Sequence, residues 1–122
     1  MLVITAACLT FFIGLAHSVL GEKYLVSRLL RRDNLPKLFG DDWFTKRLIR
    51  FAWHLTTIAW WGIAAVFWLL ASPQVDLIKS LLGIFVVMFA VSGLVALVFS
   101  KGKHLSWLVF FAISGLSLFS VY

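Results

Sequence analysis

Residues 80–100 indicate the fold class of this chain; their sequence is SLLGIFVVMFAVSGLVALVFS. These 21 residues include no Asp, Glu, Lys or Arg, and the apolar residues run continuously instead of alternating. A helix rises about 1.5 Å per residue, so roughly 20 such residues cross a hydrocarbon layer about 30 Å thick. Backbone polar groups in lipid need internal partners, which a helix provides. The stretch therefore predicts a transmembrane helix.

Three further intervals lack these four charged residue types: residues 1–21, 51–74 and 104–122, of 21, 24 and 19 residues. By the same argument the chain is predicted to be an all-α, polytopic membrane protein. Residues 1–122 would form a single four-helix bundle with transmembrane helices at about 1–21, 50–72, 79–100 and 104–122. Pro73 falls between the second and third helices, where it interrupts neither.

The composition excludes a soluble domain. Of 122 residues, 62% are hydrophobic and 13% are charged, whereas an average soluble domain has about 25% charged residues. A small soluble protein has a large surface relative to its volume, and polar side chains must cover much of that surface. Cys8 is the single cysteine, so an internal disulfide is excluded.

The basic residues predict an orientation. Eight lie in residues 21–50 and two in the turn at 101–103, whereas Lys79 alone lies between the second and third helices. The positive-inside rule makes the basic side cytoplasmic and leaves both termini outside, as expected for a bacterial inner-membrane protein. Anionic lipid headgroups, rather than nucleic acid, are the expected partners of this charge. The candidate headgroup-binding residues are Arg28, Arg31, Arg32, Arg47 and Arg50.

The connection at residues 22–49 is predicted to contain an interfacial, basic helical segment. Residues 23–32 mix apolar and basic side chains, as interfacial helices do, and we expect them to continue the first helix past the membrane surface. Asp33 and Pro36 then favour a break. Asp41 or Asp42 can cap a helix that begins near Trp43.

Small residues indicate where the helices pack. Gly14 and Gly21 share one face of the first helix, whereas Gly93 and Gly115 lie in the third and fourth. Membrane helices associate through close packing at such positions and through polar contacts. These seams can serve either intramolecular packing or a homo-oligomer.

The second helix is rich in tryptophan. Trp61 and Trp68 are seven residues apart and share a face, with Trp53 nearby. These three residues are candidates for an aromatic wall that stacks against a flat lipophilic ligand. Bulky packing or lipid contact is the alternative.

Ionisable residues supply the candidate functional site. His17, Glu22, His54 and His104 all fall at the basic ends of their predicted helices, and membrane-embedded ionisable residues suggest function. They could bind a transition metal, ligate haem between His17 and His54, or carry a proton. Interhelical hydrogen bonding is the structural alternative, and His104 could simply be solvated.

No nucleophile or phosphate-binding motif is evident in the sequence. The favoured function is therefore a binding or accessory subunit with a histidine-based polar site near the cytoplasmic face. A small homo-oligomeric transporter or channel, a subunit of a larger membrane complex and a purely structural subunit remain alternatives.

Overall fold

The computed structural model describes residues 1–73 and 75–121, which are 78% helical and contain no β-strand. Within these residues the helices are α1 (Leu2–Leu29), α2 (Trp43–Leu70), α3 (Leu77–Ser100) and α4 (Ser106–Phe119). The predicted all-helical fold is confirmed.

Helices α1, α2 and α3 are long and apolar enough to cross a membrane, with 28, 28 and 24 residues. Helix α4 is also apolar but has only 14 residues. At about 1.5 Å per residue it spans about 21 Å. The structure thus supports a membrane protein with three candidate crossings, and α4 is shorter than predicted.

The helical residues of the basic connection extend the two neighbouring helices, as predicted. Helix α1 continues beyond Gly21 through a π-helical turn at Glu22–Val26 and a short α-helical end at Ser27–Leu29. Residues 30–42 form turns, and α2 begins at Trp43, whose N–H donates to Asp41 Oδ1 at 3.0 Å.

Helices α1 and α2 pack through glycine and tryptophan. Gly14 lies under the Trp61 indole and Gly21 under the Trp53 indole. The same two indoles donate their N–H groups to backbone oxygens of α1, Trp61 to Phe11 at 3.2 Å and Trp53 to His17 at 3.1 Å. The predicted small-residue seam of α1 therefore contacts α2.

Helices α3 and α4 pack along a second seam. Its buried α3 residues are Ser92, Gly93, Ala96 and Ser100. Phe111 of α4 lies against Gly93, and the Ser114 hydroxyl donates to the Val86 carbonyl at 2.9 Å. Gly115 does not belong to this seam, because no described residue lies within 4 Å of the position a Cβ would take.

The two basic connections meet at one end of the molecule. The Nζ atoms of Lys101 and Lys103 lie 5.1 and 5.2 Å from the centre of the Trp43 ring, at the start of α2. Arg47 Nη1 donates to the Phe99 carbonyl, at the end of α3, at 3.1 Å. The positive charge of the chain is therefore concentrated at this end.

Candidate functional site

The His54 imidazole on α2 bridges two side chains of α1. Its Nδ1 lies 2.5 Å from Ser18 Oγ, and its Nε2 lies 3.1 Å from Glu22 Oε2. Ser18 and Glu22 can reach the same ring because residues four apart share a helix face. Both ring nitrogens are thus occupied.

Arg50 extends this group to a chain of four side chains. Its Nη2 lies 2.9 Å from Glu22 Oε1, so the two carboxylate oxygens face the guanidinium and the imidazole separately. Arg50 and His54 are themselves four residues apart on α2. We call Ser18, Glu22, Arg50 and His54 the His54 cluster.

The exposed fraction of the side chains increases along the His54 cluster, from His54 to Arg50. The exposed fraction of the side chain is 25% for His54, 33% for Glu22 and 40% for Arg50. The π-helical turn of α1 begins at Glu22, and such turns are frequent at functional sites. The carboxylate therefore lies between the half-buried imidazole and the basic end of the molecule.

His17 lies in the same helix contact but outside the His54 cluster. Its ring stacks on Trp53 with centroids 4.3 Å apart, and its Nε2 lies 2.8 Å from Thr56 Oγ1. Among the described residues no hydrogen bond joins His17 to His54 or Glu22. Its contacts are those of a residue that packs α1 against α2.

His104 contacts other parts of α2. Its ring lies 5.5 Å from that of Phe51 and 6.5 Å from that of Phe44, and its Nδ1 lies 2.7 Å from Ser106 Oγ. Within residues 1–73 and 75–121 it makes no hydrogen bond to the His54 cluster.

Two of the three tryptophans predicted to form an aromatic wall stack on other side chains of the protein. Trp53 stacks on His17, and Trp61 stacks on Phe11 with centroids 5.3 Å apart. Trp68 is 58% exposed and, together with Trp61, lines an open apolar groove of about 420 Å³. A flat ligand would find a free aromatic face mainly at Trp68.

The metal and haem hypotheses receive no support from the arrangement of side chains. In the part of the chain that the structure describes, no three His, Cys, Asp or Glu side chains are grouped closely enough to hold a metal ion. The predicted bis-histidine ligation of haem needs two ring nitrogens directed at one iron. Instead, His17 Nε2 faces Thr56 and His54 Nε2 faces Glu22.

The candidate headgroup-binding arginines have separate environments. Arg50 pairs with Glu22, and Arg47 bonds to the end of α3. Arg28, Arg31 and Arg32 are exposed near the end of α1. These three are the arginines of the set most accessible to lipid.

Ser18 is the member of the His54 cluster that sequence reasoning missed. In the sequence its neighbour His17 draws attention, yet adjacent helix residues do not face each other. The spacing of four residues between Ser18 and Glu22, matched by the same spacing between Arg50 and His54, is the signal that could have identified the cluster.

Comparison of the chain with protein-family models, with curated proteins and with solved structures gave no match. The function is therefore inferred from the geometry of its own residues.

Proposed function

We propose that this chain is a small polytopic membrane protein that binds a proton at His54, within the packed helices α1 and α2, and acts as a binding or accessory subunit. One observation carries the proposal: the imidazole is hydrogen-bonded at one nitrogen to a neutral hydroxyl and at the other to a carboxylate. Histidine is the side chain that changes charge near neutral pH.

The His54 cluster satisfies both charge states of the ring. In the neutral ring with its hydrogen on Nε2, the ring donates to Glu22 and accepts at Nδ1 from the Ser18 hydroxyl. In the imidazolium both nitrogens donate, so Ser18 Oγ becomes an acceptor and its hydrogen turns elsewhere. A backbone carbonyl one helical turn back is the usual acceptor for such a hydroxyl. Proton binding therefore needs only a hydroxyl rotation.

Glu22 and Arg50 lie on the side of His54 from which the proton would arrive. Glu22 is the anion that faces the His54 ring, and Arg50 is the cation that pairs with Glu22 and follows His54 on α2. A carboxylate beside an imidazolium favours the charged ring, whereas a cation opposes it. Both residues are more exposed than His54. A proton would thus arrive from the basic end of the molecule.

A metal or haem function fits less well than proton binding. Either ligand requires the lone pair of a ring nitrogen, which would displace Ser18 or Glu22 from His54. Proton uptake keeps both contacts. The second candidate, a homo-oligomeric transporter, shares the same histidine and differs in whether protons cross the membrane.

Four crossings with the basic end in the cytoplasm and both termini outside are proposed as the membrane topology. Contacts between α3 and α4 support the fourth crossing, because they run antiparallel: Trp107 contacts Gly102, Phe111 contacts Gly93 and Ser114 contacts Val86. Val86 lies about four helical turns before the end of α3, so α4 runs back along α3 for about four turns by the time it reaches Ser114. The orientation rests on the positive-inside rule and suits a bacterial inner membrane.

The proposal is tested by ¹⁵N NMR of the histidine rings in full-length protein held in lipid nanodiscs. H54Q identifies the His54 signals, and H104Q is the matched control outside the cluster. A His54 that binds a proton should give the ¹⁵N signals of both the neutral ring and the imidazolium as the sample is acidified. In E22Q the Nε2 signal should move, because an amide replaces the carboxylate that faces this nitrogen.

Two results would contradict proton binding at this site. One is a His54 ring that shows a single charge state throughout the acidification. The other is an Nε2 signal that E22Q leaves unchanged. Proton flux into liposomes then separates the two candidate functions: a flux that H54Q abolishes and H104Q preserves would favour the transporter.

A further inference from the structure

Three cations converge on one aromatic ring at the basic end of the molecule. Arg47 Cζ, Lys101 Nζ and Lys103 Nζ lie 5.3, 5.1 and 5.2 Å from the centre of the Trp43 ring. No two of these charges can therefore be more than about 10.5 Å apart. Like charges closer than the screening length of physiological salt, about 8 Å, repel one another.

The fold fixes the two lysines in this place. Lys101 ends α3 in a left-handed conformation with φ +50°, and Gly102 follows with φ +77°. The turn is closed by hydrogen bonds from Gly102 N to Leu97 O at 3.0 Å and from Lys103 N to Ser100 O at 3.1 Å. The helix dipole favours a cation at a helix C-terminus. Here two lysines and one arginine lie at the C-terminus of the same helix, α3.

Neighbouring carboxylates do not neutralise these cations. Asp42 pairs with Lys46 at 2.6 Å, and Asp41 accepts the hydrogen bond of the Trp43 N–H. Among the described residues, the four ion pairs within 4.0 Å involve neither Arg47, Lys101 nor Lys103. Within residues 1–73 and 75–121 the cations around Trp43 therefore have no anionic partner.

Phe39 adds an exposed aromatic side chain beside the cations. It is 69% exposed, and Lys103 Nζ lies 5.0 Å from the centre of its ring. Its φ of +61° is a left-handed conformation that is unusual for a bulky residue and costs energy. Phenylalanine is one of the side chains by which interfacial segments enter the boundary between lipid headgroups and acyl chains. An exposed ring held there at a conformational cost points to a membrane contact.

We propose that Arg47, Lys101 and Lys103 form a binding site for a phosphate group, with Trp43 as its floor, and that the phosphate is that of an anionic membrane lipid. Lysine and arginine are the usual donors to phosphate oxygens. A bound phosphate would relieve the repulsion among the three cations. Phe39 would enter the boundary between headgroups and acyl chains next to the bound lipid.

The test is a titration of full-length protein in neutral detergent with phosphatidylglycerol, read by native mass spectrometry. The variant K101N/K103Q removes two cations, and Asn tolerates the left-handed conformation at position 101. K23Q/K37Q is the matched control, because it removes two lysines from the same connection side but none near Trp43. We expect the K101N/K103Q variant to bind phosphatidylglycerol roughly thirtyfold more weakly, and the control to bind like the wild type.

Zwitterionic phosphatidylcholine and inorganic phosphate identify the source of the phosphate group. Phosphatidylcholine should bind weakly to all three proteins. If inorganic phosphate competes with phosphatidylglycerol at equal concentration, the site takes free phosphate and the assignment to lipid is wrong. The single variant K103Q, in an exposed turn, provides a milder change should the double variant unfold.

The phosphate site itself would be refuted if K101N/K103Q and K103Q bound phosphatidylglycerol as tightly as K23Q/K37Q. Equal binding of phosphatidylglycerol and phosphatidylcholine by the wild type would refute it as well. None of these measurements depends on His54, so the outcome is independent of the proton-binding proposal.

Discussion

Trp53 holds His17 by two contacts at once. Its indole N–H donates to the His17 backbone oxygen at 3.1 Å, while its ring stacks on the His17 imidazole at 4.3 Å with an angle of 8° between the planes. Both contacts cross from α2 to α1. His17 is therefore part of the packing contact between these helices, and His54 is the histidine that we propose binds a proton.

This division of roles predicts different costs for two matched substitutions. H17F keeps an aromatic ring on Trp53 and loses the bond to Thr56, so it should lower the free energy of unfolding by less than about 1 kcal/mol. H54F leaves Ser18 and Glu22 without their shared partner and should cost about 1–3 kcal/mol. Unfolding in mixed detergent micelles measures both, and equal costs would contradict the assignment.

Gly21 is predicted to be the glycine least tolerant of a methyl group. A Cβ at this position would lie closer than 3.0 Å to the Trp53 indole, so G21A must push α1 and α2 apart. We expect a loss of about 1–3 kcal/mol in unfolding free energy. G115A is the control, because no described residue lies within 4 Å of that Cβ. Thermal unfolding in detergent should show G21A alone destabilised.

Two buried threonines of α2 should respond to valine in opposite directions. Thr45 Oγ1 donates to the Pro36 carbonyl at 2.7 Å, whereas buried Thr57 Oγ1 has no hydrogen-bond partner among the described residues. T45V should therefore destabilise the protein by about 1 kcal/mol, and T57V should be neutral or stabilising. Unfolding free energies measured side by side test this. A T57V loss as large as that of T45V would show that Thr57 has a partner.

The fourth crossing can be tested with single cysteines in a Cys8→Ser background. Leu38, Val75 and Ser120 are exposed positions in the basic connection, in the turn before α3 and after α4. A membrane-impermeant maleimide should label L38C from the cytoplasmic side, and V75C and S120C from the opposite side. Labelling of S120C from the same side as L38C would mean that α4 does not cross.

The sequence predicted much of the fold because a lipid environment constrains it so strongly. Long charge-free stretches identified every helix, and the start of α2 at Trp43 followed from the acidic residues before it. The mixed apolar and basic residues after Gly21 predicted a continuation of the first helix, and Asp33 and Pro36 predicted a break; α1 ends at Leu29, shortly before them. The π-helical turn at Glu22–Val26 was not predicted.

The sequence indicated at which end of the helices the candidate residues lie, but it did not indicate which side chains contact each other. Side-chain position along a helix is set by a rise of about 1.5 Å per residue, so the sequence alone could bring His17, Glu22 and His54 to similar depth. Which side chains meet depends on how each helix is rotated about its axis. That rotation is fixed by the tryptophans of α2 lying on the glycines of α1.

The amino-acid sequence was enough to predict a chain that is helical, apolar and basic at one end, because backbone hydrogen bonding in lipid and the distribution of lysine and arginine depend only on composition along the chain. The position of His54 between Ser18 and Glu22, and of three cations around Trp43, became evident only from the packed helices. Apart from Arg47 over Trp43, these contacts join residues far apart in sequence, and their geometry follows from helix packing rather than from any local pattern.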